Sequence, residues 1–188
     1  MGLGQRKIVI TGGPSTGKTS LIEGLEKGGH HCFHEVIRSM TLEAKHEGEI
    51  KHFTTNPIAL VSDPMDFNRK ILKARVQHYR EATLLPQSNV FFDRGIPDVL
   101  AYMDHFGQDY GNEFIDTAAE NRYDTVFLLP IWEAIYVSDN ERFESYDEAL
   151  AIHDHLWEAY TRFGYHVIEV PRDTVEGRVA FISKTLNL

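Results

Sequence analysis

The densest chemistry in the chain is the run Gly12-Gly13-Pro14-Ser15-Thr16-Gly17-Lys18-Thr19, which meets the pattern G-x-x-x-x-G-K-[ST] at every fixed position. Each residue type has a physical task. Glycines at 12 and 17 let the backbone turn tightly and present its N–H groups inward. A helix opening at Gly17 adds unpaired N–H groups and the positive end of its dipole, so the loop from Gly12 through Ser20 suits a string of phosphates. Lys18 would reach the β- and γ-phosphates, and the Thr19 hydroxyl suits Mg²⁺. The expected ligands are therefore a nucleoside triphosphate, ATP before GTP, and Mg²⁺. The motif specifies phosphate binding and leaves open what receives the phosphate.

Acids and arginines stand where such a loop needs them. Asp93 closes the apolar run Val90-Phe91-Phe92. At the carboxyl end of a parallel strand it would order Mg²⁺ beside Thr19, or else serve as a helix cap. Arg94 follows directly, either to clamp a phosphate or the acceptor or to pair with a surface acid. Glu35, in His34-Glu35-Val36-Ile37-Arg38, lies near the end of the expected second strand. A carboxylate there can take the proton of an attacking hydroxyl, or can be an ordinary edge-strand acid. Arg142, in Asn140-Glu141-Arg142, suits a mobile lid whose cation offsets charge on a transferring phosphoryl group. Arg172 could stack near the nucleotide base or stand in solvent. His30, His31 and His34 do not make a zinc site, since adjacent strand residues face opposite ways and no cysteine pair accompanies them.

These residues need a scaffold, and the patterning supplies one. Strands are expected over Lys7–Thr11, His31–Val36, Val90–Asp93, Tyr123–Leu129 and Tyr165–Val170. Helices are expected over Gly17–Lys27, from Asp63 up to a stop at Pro86, from Pro97 through Phe106, over Asn112–Asn121, over Tyr146–Phe163, and after a cap at Asp173 or Thr174. Trp132, Tyr136, Trp157, Tyr160 and Phe163 read as packing residues. Strands alternating with helices predict an α/β fold: a mostly parallel sheet with helices on both faces, a three-layer sandwich. With 188 residues and no linker or repeat, one domain over 1–188 is expected.

Composition narrows the partners. A net charge of -9 argues against a nucleic-acid reader, which needs a basic face. The single cysteine, Cys32, excludes an intrachain disulfide and fits a reducing compartment. No apolar run approaches the roughly 18 residues of a membrane span, and no signal peptide is evident, so a cytoplasmic protein is expected.

The segments GGPSTGKTSL, HEVIR, the helix opened by Asp63-Pro64 with Gln77 inside it, FFDRG, YDTVFLLP and VPRDTVEGRVAFI resemble one family. It comprises small P-loop ATPase or kinase domains related to bacterial ribosylnicotinamide kinase, grouped as AAA-domain proteins. They are closer to nucleoside and nucleotide kinases than to hexameric AAA machines. The resemblance implies a P-loop NTPase fold, phosphate and metal roles for Lys18 and Thr19, and the strand-end acid and arginine of nucleoside kinases at Asp93 and Arg94. It also implies a base at Glu35 and a lid arginine at Arg142. The acceptor would bind within 38–85, and the lid would span 131–145. A single arginine in that lid weakens the case for a phosphorylated acceptor.

The leading expectation is phosphoryl transfer from ATP to a hydroxyl of a small polar, nucleoside-like molecule. An ATPase or nucleotide-driven switch acting on a macromolecule, and a non-catalytic nucleotide-binding module, are the alternatives. The absence of an N-K-x-D run argues against a GTPase. A homodimer is possible.

Overall fold

The computed structural model describes residues 4–37, 63–136 and 144–188. Among these residues five strands form one sheet: β1 (Arg6–Gly12), β2 (His31–Phe33), β3 (Asn89–Asp93), β4 (Thr125–Leu129) and β5 (Val167–Glu169). Every pairing is parallel, in the order β2-β3-β1-β4-β5. The helices are α1 (Lys18–Lys27), α2 (Pro64–Ala82), α3 (Pro97–His105), α4 (Asn112–Glu120), α5 (Tyr146–Arg162) and α6 (Val175–Leu186). A short 3-10 turn covers Glu133–Ile135.

The period of two in the strands divides the apolar side chains between two faces. Val9, Val90, Phe92, Val126, Leu128 and Val167 join one core with residues of α2, α3, α4 and α5. Ile8, Ile10, Phe91, Phe127 and Leu129 join the other with Leu21, Ile22 and Leu25 of α1 and Ile182 and Leu186 of α6. Both sheet faces are covered, which is the condition for strands as uniformly apolar as Ile8-Val9-Ile10. This is the expected α/β sandwich.

Helix starts follow local chemistry. The Asp63 carboxylate accepts from the Asp66 N–H (3.0 Å) ahead of Pro64 at the first helical position. Ser145 and Glu148 form a reciprocal capping box at the start of α5. Thr174, one of the two expected caps, accepts from the Gly177 N–H at 3.1 Å.

Several expected boundaries move. Strand β2 ends at Phe33, not Val36, so Glu35 lies beyond the ladder. Its carboxylate is drawn to two arginines described below. Helix α2 stops at Ala82, before Pro86, and α3 stops at His105, with Phe106 42% exposed rather than buried. Trp157 is 40% exposed, so it does not pack in the core as expected; Tyr160, one turn along, is fully buried.

The sheet order places the reversal of winding at β1, whose carboxyl end lies between those of β3 and β4. A crevice at that switch point is where open parallel sheets hold ligands.

Gly95 is the tightest point beside it. A Cβ there would lie 2.5 Å from the Tyr160 hydroxyl and 3.0 Å from both Tyr123 Cε2 and Val9 Cγ2. Gly95→Ala is therefore expected to cost about 1–3 kcal/mol of overpacking. For a chain of this size that is a Tm drop of roughly 3–10 °C. A Tm unchanged by thermal denaturation would show that these three side chains are not held in place.

Candidate functional site

Strand β1 runs straight into the glycine-rich loop. Ser15 and Gly17 take positive φ values (57° and 82°), and Gly17 opens α1 with no side-chain cap. The first-turn N–H groups of α1 are thus directed into the loop, the arrangement an anion needs. Lys18 folds back, its Nζ donating to the Gly13 carbonyl at 3.0 Å. Burial, reinforced by the Arg94 guanidinium, pulls its pKa down to about 7, although Asp93, Glu35 and Asp98 act in the opposite sense. The loop is braced from behind by an arginine with no expected role. Arg178 of α6, 3% exposed, donates from Nη1 to the Thr16 carbonyl (2.8 Å) and from Nε to the Pro171 carbonyl (3.1 Å). Its guanidinium also lies over the Trp132 ring, 5.3 Å from the centroid.

Asp93 pairs in register with Ile10, two residues before Gly12, and is 8% exposed. The next residue, Arg94, turns sharply. Its φ is +72°, uncommon for any side chain larger than glycine, and its N–H donates to the Ile10 carbonyl at 3.0 Å. The turn sends the guanidinium inward, where Nε pairs with Glu35 Oε2 and Nη1 pairs with Asp98 Oδ1 at 3.2 Å. The Tyr102 ring covers it, 5.0 Å from centroid to guanidinium carbon. Burial acts against the charge of Arg94, but Tyr102, Glu35, Asp98 and Asp93 together raise its pKa well above the ordinary value. The acids that Arg94 pairs with are buried or nearly so, rather than on the surface.

A second buried cation completes this side. Arg75 of α2, 4% exposed, donates from Nη1 to the Gly95 carbonyl (2.7 Å) and from Nη2 to Glu35 Oε1 (3.2 Å). Each Glu35 oxygen therefore holds one guanidinium; Oε1 also accepts from the Ile37 N–H (3.4 Å), which leaves Oε2 the oxygen with a further lone-pair site. Asp98 is wholly buried. Burial pushes its carboxyl up, yet Arg75, Arg94 and the hydroxyls of Thr11 and Tyr160 outweigh that and hold it below its usual range.

Lys18, Glu35, Asp93 and Arg94 are thus brought to one crevice at the ends of β1 and β3. Their neighbours Asp98, Arg75, Thr11 and Tyr160 were not anticipated. Arg172 is exposed, and its Nε and Nη2 both donate to the Ile131 carbonyl (3.2 and 3.1 Å). Arg142, Arg38 and most of the expected acceptor segment lie outside the described residues. His34 pairs with Glu26 at 2.7 Å, and among the described residues no three His, Cys, Asp or Glu side chains gather as a metal site of their own. Among those residues, too, no helix is long and apolar enough to cross a membrane.

The crevice fits a nucleoside triphosphate. The loop offers N–H groups and a lysine whose ammonium is destabilised until an anion arrives. The Thr19 hydroxyl and the Asp93 carboxylate are oxygen donors of the kind Mg²⁺ takes.

An all-parallel sheet with a glycine-rich loop at its switch point defines the P-loop nucleotide-binding fold. The chain belongs to the family described as AAA domain, whose model matches residues 7–178. No curated protein sequence matches significantly. Solved structures share the fold. A deoxyadenosine kinase from M. mycoides, with products bound, superposes with a TM-score of 0.68 at 20% identity, covering 96% of this chain and 98% of that one. A thymidylate kinase from Candida albicans gives 0.69 at 13% identity, covering 100% and 93%. NadR protein in complex with NR gives 0.68 at 17% identity, covering 98% of this chain and 51% of the other. At these identities the likeness establishes the fold.

Proposed function

We propose that the protein is an ATP- and Mg²⁺-dependent kinase that phosphorylates a hydroxyl of a small, nucleoside-like acceptor. The observation that carries this reading is Glu35, a carboxylate gripped by Arg94 and Arg75 in the crevice that also holds Lys18. Nucleotide-driven switches need no such fixed base for an acceptor hydroxyl. The deoxyadenosine kinase of the same fold, named for a nucleoside acceptor, points the same way.

In the proposed step the acceptor oxygen bonds to the γ-phosphorus as the bond from that phosphorus to the β,γ-bridging oxygen breaks. ADP leaves with the bonding pair, and the hydroxyl proton passes to Glu35. Lys18 offsets charge on the β- and γ-phosphates. Thr19 and Asp93 would hold Mg²⁺, which when bound shields the phosphate charge. The lid role of Arg142 and the base contact of Arg172 belong to the same proposal. So do a single domain over 1–188 and acceptor binding within 38–85.

The acceptor is unphosphorylated at its reacting end. A phosphate monoester placed on Arg94 and Arg75 would have to displace Glu35 from both and then lie beside that carboxylate. Like charges at this separation are costly out of bulk water. Among the described residues Lys18, Arg75 and Arg94 are already matched by Glu35, Asp93 and Asp98.

The deciding experiment is ADP release from Mg-ATP with deoxyadenosine, thymidine, ribosylnicotinamide, their 5′-monophosphates and a no-acceptor control. A nucleoside is expected to raise release at least about tenfold, with its monophosphate inactive. Equal release in every well, abolished by Lys18→Ala, would make water the acceptor and overturn the kinase reading.

A further inference from the structure

We propose that Asp98, held by Tyr160 and Thr11, is a positioning residue that fixes Arg94 and, through it, Glu35. The inference rests on the proposed role of Glu35 for its consequence in turnover, but not for its geometry.

Arg94 occupies a backbone conformation that side chains rarely adopt, at φ +72°. Such residues persist only where their surroundings over-determine them. Its guanidinium is shared between two acids, Nε on Glu35 and Nη1 on Asp98, so neither acid orients it alone. Glu35 is also the less buried partner of the two. It lies past the end of β2 and is 14% exposed at its side chain, whereas Asp98 is on α3 and fully buried. The fixed end of the chain of contacts is therefore Asp98.

Asp98 is unusually well tied down. Oδ1 accepts from Thr11 Oγ1 at 2.5 Å, and Oδ2 accepts from Tyr160 Oη at 2.6 Å and the Gly95 N–H at 2.9 Å. With Arg94 Nη1 on Oδ1, each oxygen takes one N–H and one hydroxyl donor. The hydroxyls come from different parts of the fold. Thr11 directly precedes Gly12 of the phosphate loop, and Tyr160 is near the end of α5. Asp98 thus ties the loop, α5 and the arginine turn into one unit. Arg75 closes it, joining the Gly95 carbonyl to Glu35.

The pattern also says which substitution separates positioning from bulk. An asparagine at 98 keeps the shape but carries one carbonyl oxygen and one NH₂. The hydroxyls of Thr11 and Tyr160 can turn and accept from that NH₂. Arg94 Nη1 and the Gly95 N–H cannot, and they lie on opposite oxygens. Either orientation of the amide therefore sets a donor against a donor. Tyr160→Phe is milder, removing one donor and leaving the carboxylate.

The test is the ¹⁵N spectrum of arginine-labelled, nucleotide-free protein. The Arg94 Nε–H signal is identified by its loss in Arg94→Lys. In the parent protein it is expected to be sharp and slow to exchange with water. In Asp98→Asn its exchange is expected to quicken at least about tenfold, with a smaller gain in Tyr160→Phe. A purely structural Asp98 would lower Tm and leave this signal alone, so unchanged exchange in Asp98→Asn overturns the proposal. Should Asp98→Asn not fold, unchanged exchange in Tyr160→Phe overturns it instead.

Turnover with deoxyadenosine supplies a second arm. Asp98→Asn is expected to lower kcat about 10- to 100-fold, with KM for ATP within about twofold, and to cost far less in a Glu35→Gln background. An equal loss in both backgrounds also overturns it. Normal turnover in Glu35→Gln alone would remove the base assignment, and the exchange measurement would still decide the positioning.

Discussion

Lys18→Ala is expected to abolish measurable turnover, a loss of about 10³-fold or more, and to weaken ATP binding. A cation aimed at the phosphates of a desolvated site is among the largest single contributions an enzyme makes. Here it is prepared in a particular way. Burial, with Arg94 nearby, lowers the ammonium pKa to about 7 in the nucleotide-free protein, even though its Nζ donates to the Gly13 carbonyl. Phosphate oxygens would stabilise the charged form and raise that pKa. Below pH 7 the free protein already carries the proton, and ATP binds without taking one up. Above pH 7 the free protein has lost it and binding must recover it, so affinity should fall roughly tenfold per pH unit until the pKa of the complex is reached. Titration calorimetry at pH 8, in two buffers of different ionisation enthalpy, should show uptake of close to one proton per ATP. Lys18→Ala should take up none by this route. Equal, proton-free binding in parent and variant would show that Lys18 does not meet the phosphates.

The same linkage gives a stability signature. The unfolded chain holds this proton up to the ordinary lysine value of 10.5, the folded chain only to about 7. Between those limits the unfolded state binds more protons, so this residue makes stability rise with pH. Nucleotide should remove the effect.

The parts of the site legible in the sequence were those governed by local rules. The phosphate loop is a spacing of glycines, a lysine and a hydroxyl. Asp93 ends an apolar run, and strand ends in parallel sheets face ligands. What stayed hidden depends on contacts far apart in sequence. Thr11 meets Asp98 across 87 residues, and Tyr160 meets it across 62. Asp98 follows Pro97 in the first turn of a helix, where an acid ordinarily serves the dipole at the surface. Only the core closing over it turns it into a buried hub.

A trace of this was available. Arg75 falls four residues after Ile71 and three after Leu72, on the apolar stripe of α2, and four before Tyr79. A cation at such a position must be paired when the stripe packs. Its partner Glu35 could not be identified from one sequence. The error in β2 has the same origin. Alternation continued formally through Val36, but the chain turns helical at Val36 and Ile37, so Glu35 leaves the ladder and its carboxylate meets the two guanidiniums.

Glu35→Gln should lower kcat by about 10²-fold or more, the usual range for loss of a general base, while leaving the Kd for ATP within about twofold. The substitution is close to isosteric, so the comparison tests charge more than shape. It has a structural side that must be measured with it. A glutamine carbonyl can still accept from one of Arg94 and Arg75, but its NH₂ opposes the other, and a buried guanidinium without its acid is destabilising. Tm should therefore fall as well. Arg75→Gln separates the two effects. It removes one of Glu35's two cations and keeps the carboxylate on Arg94. If the carboxylate takes the proton, Arg75→Gln should retain far more turnover than Glu35→Gln at a comparable loss of Tm. Equal losses would make Glu35 an anchor for the arginines, and turnover unaffected by Glu35→Gln would remove it from the mechanism. The distinction is chemical: an anchor needs only charge, whereas a base needs a lone pair for the acceptor proton, and with both guanidiniums in place the Glu35 oxygen that can supply one is Oε2, since Oε1 already accepts from Arg75 and the Ile37 N–H.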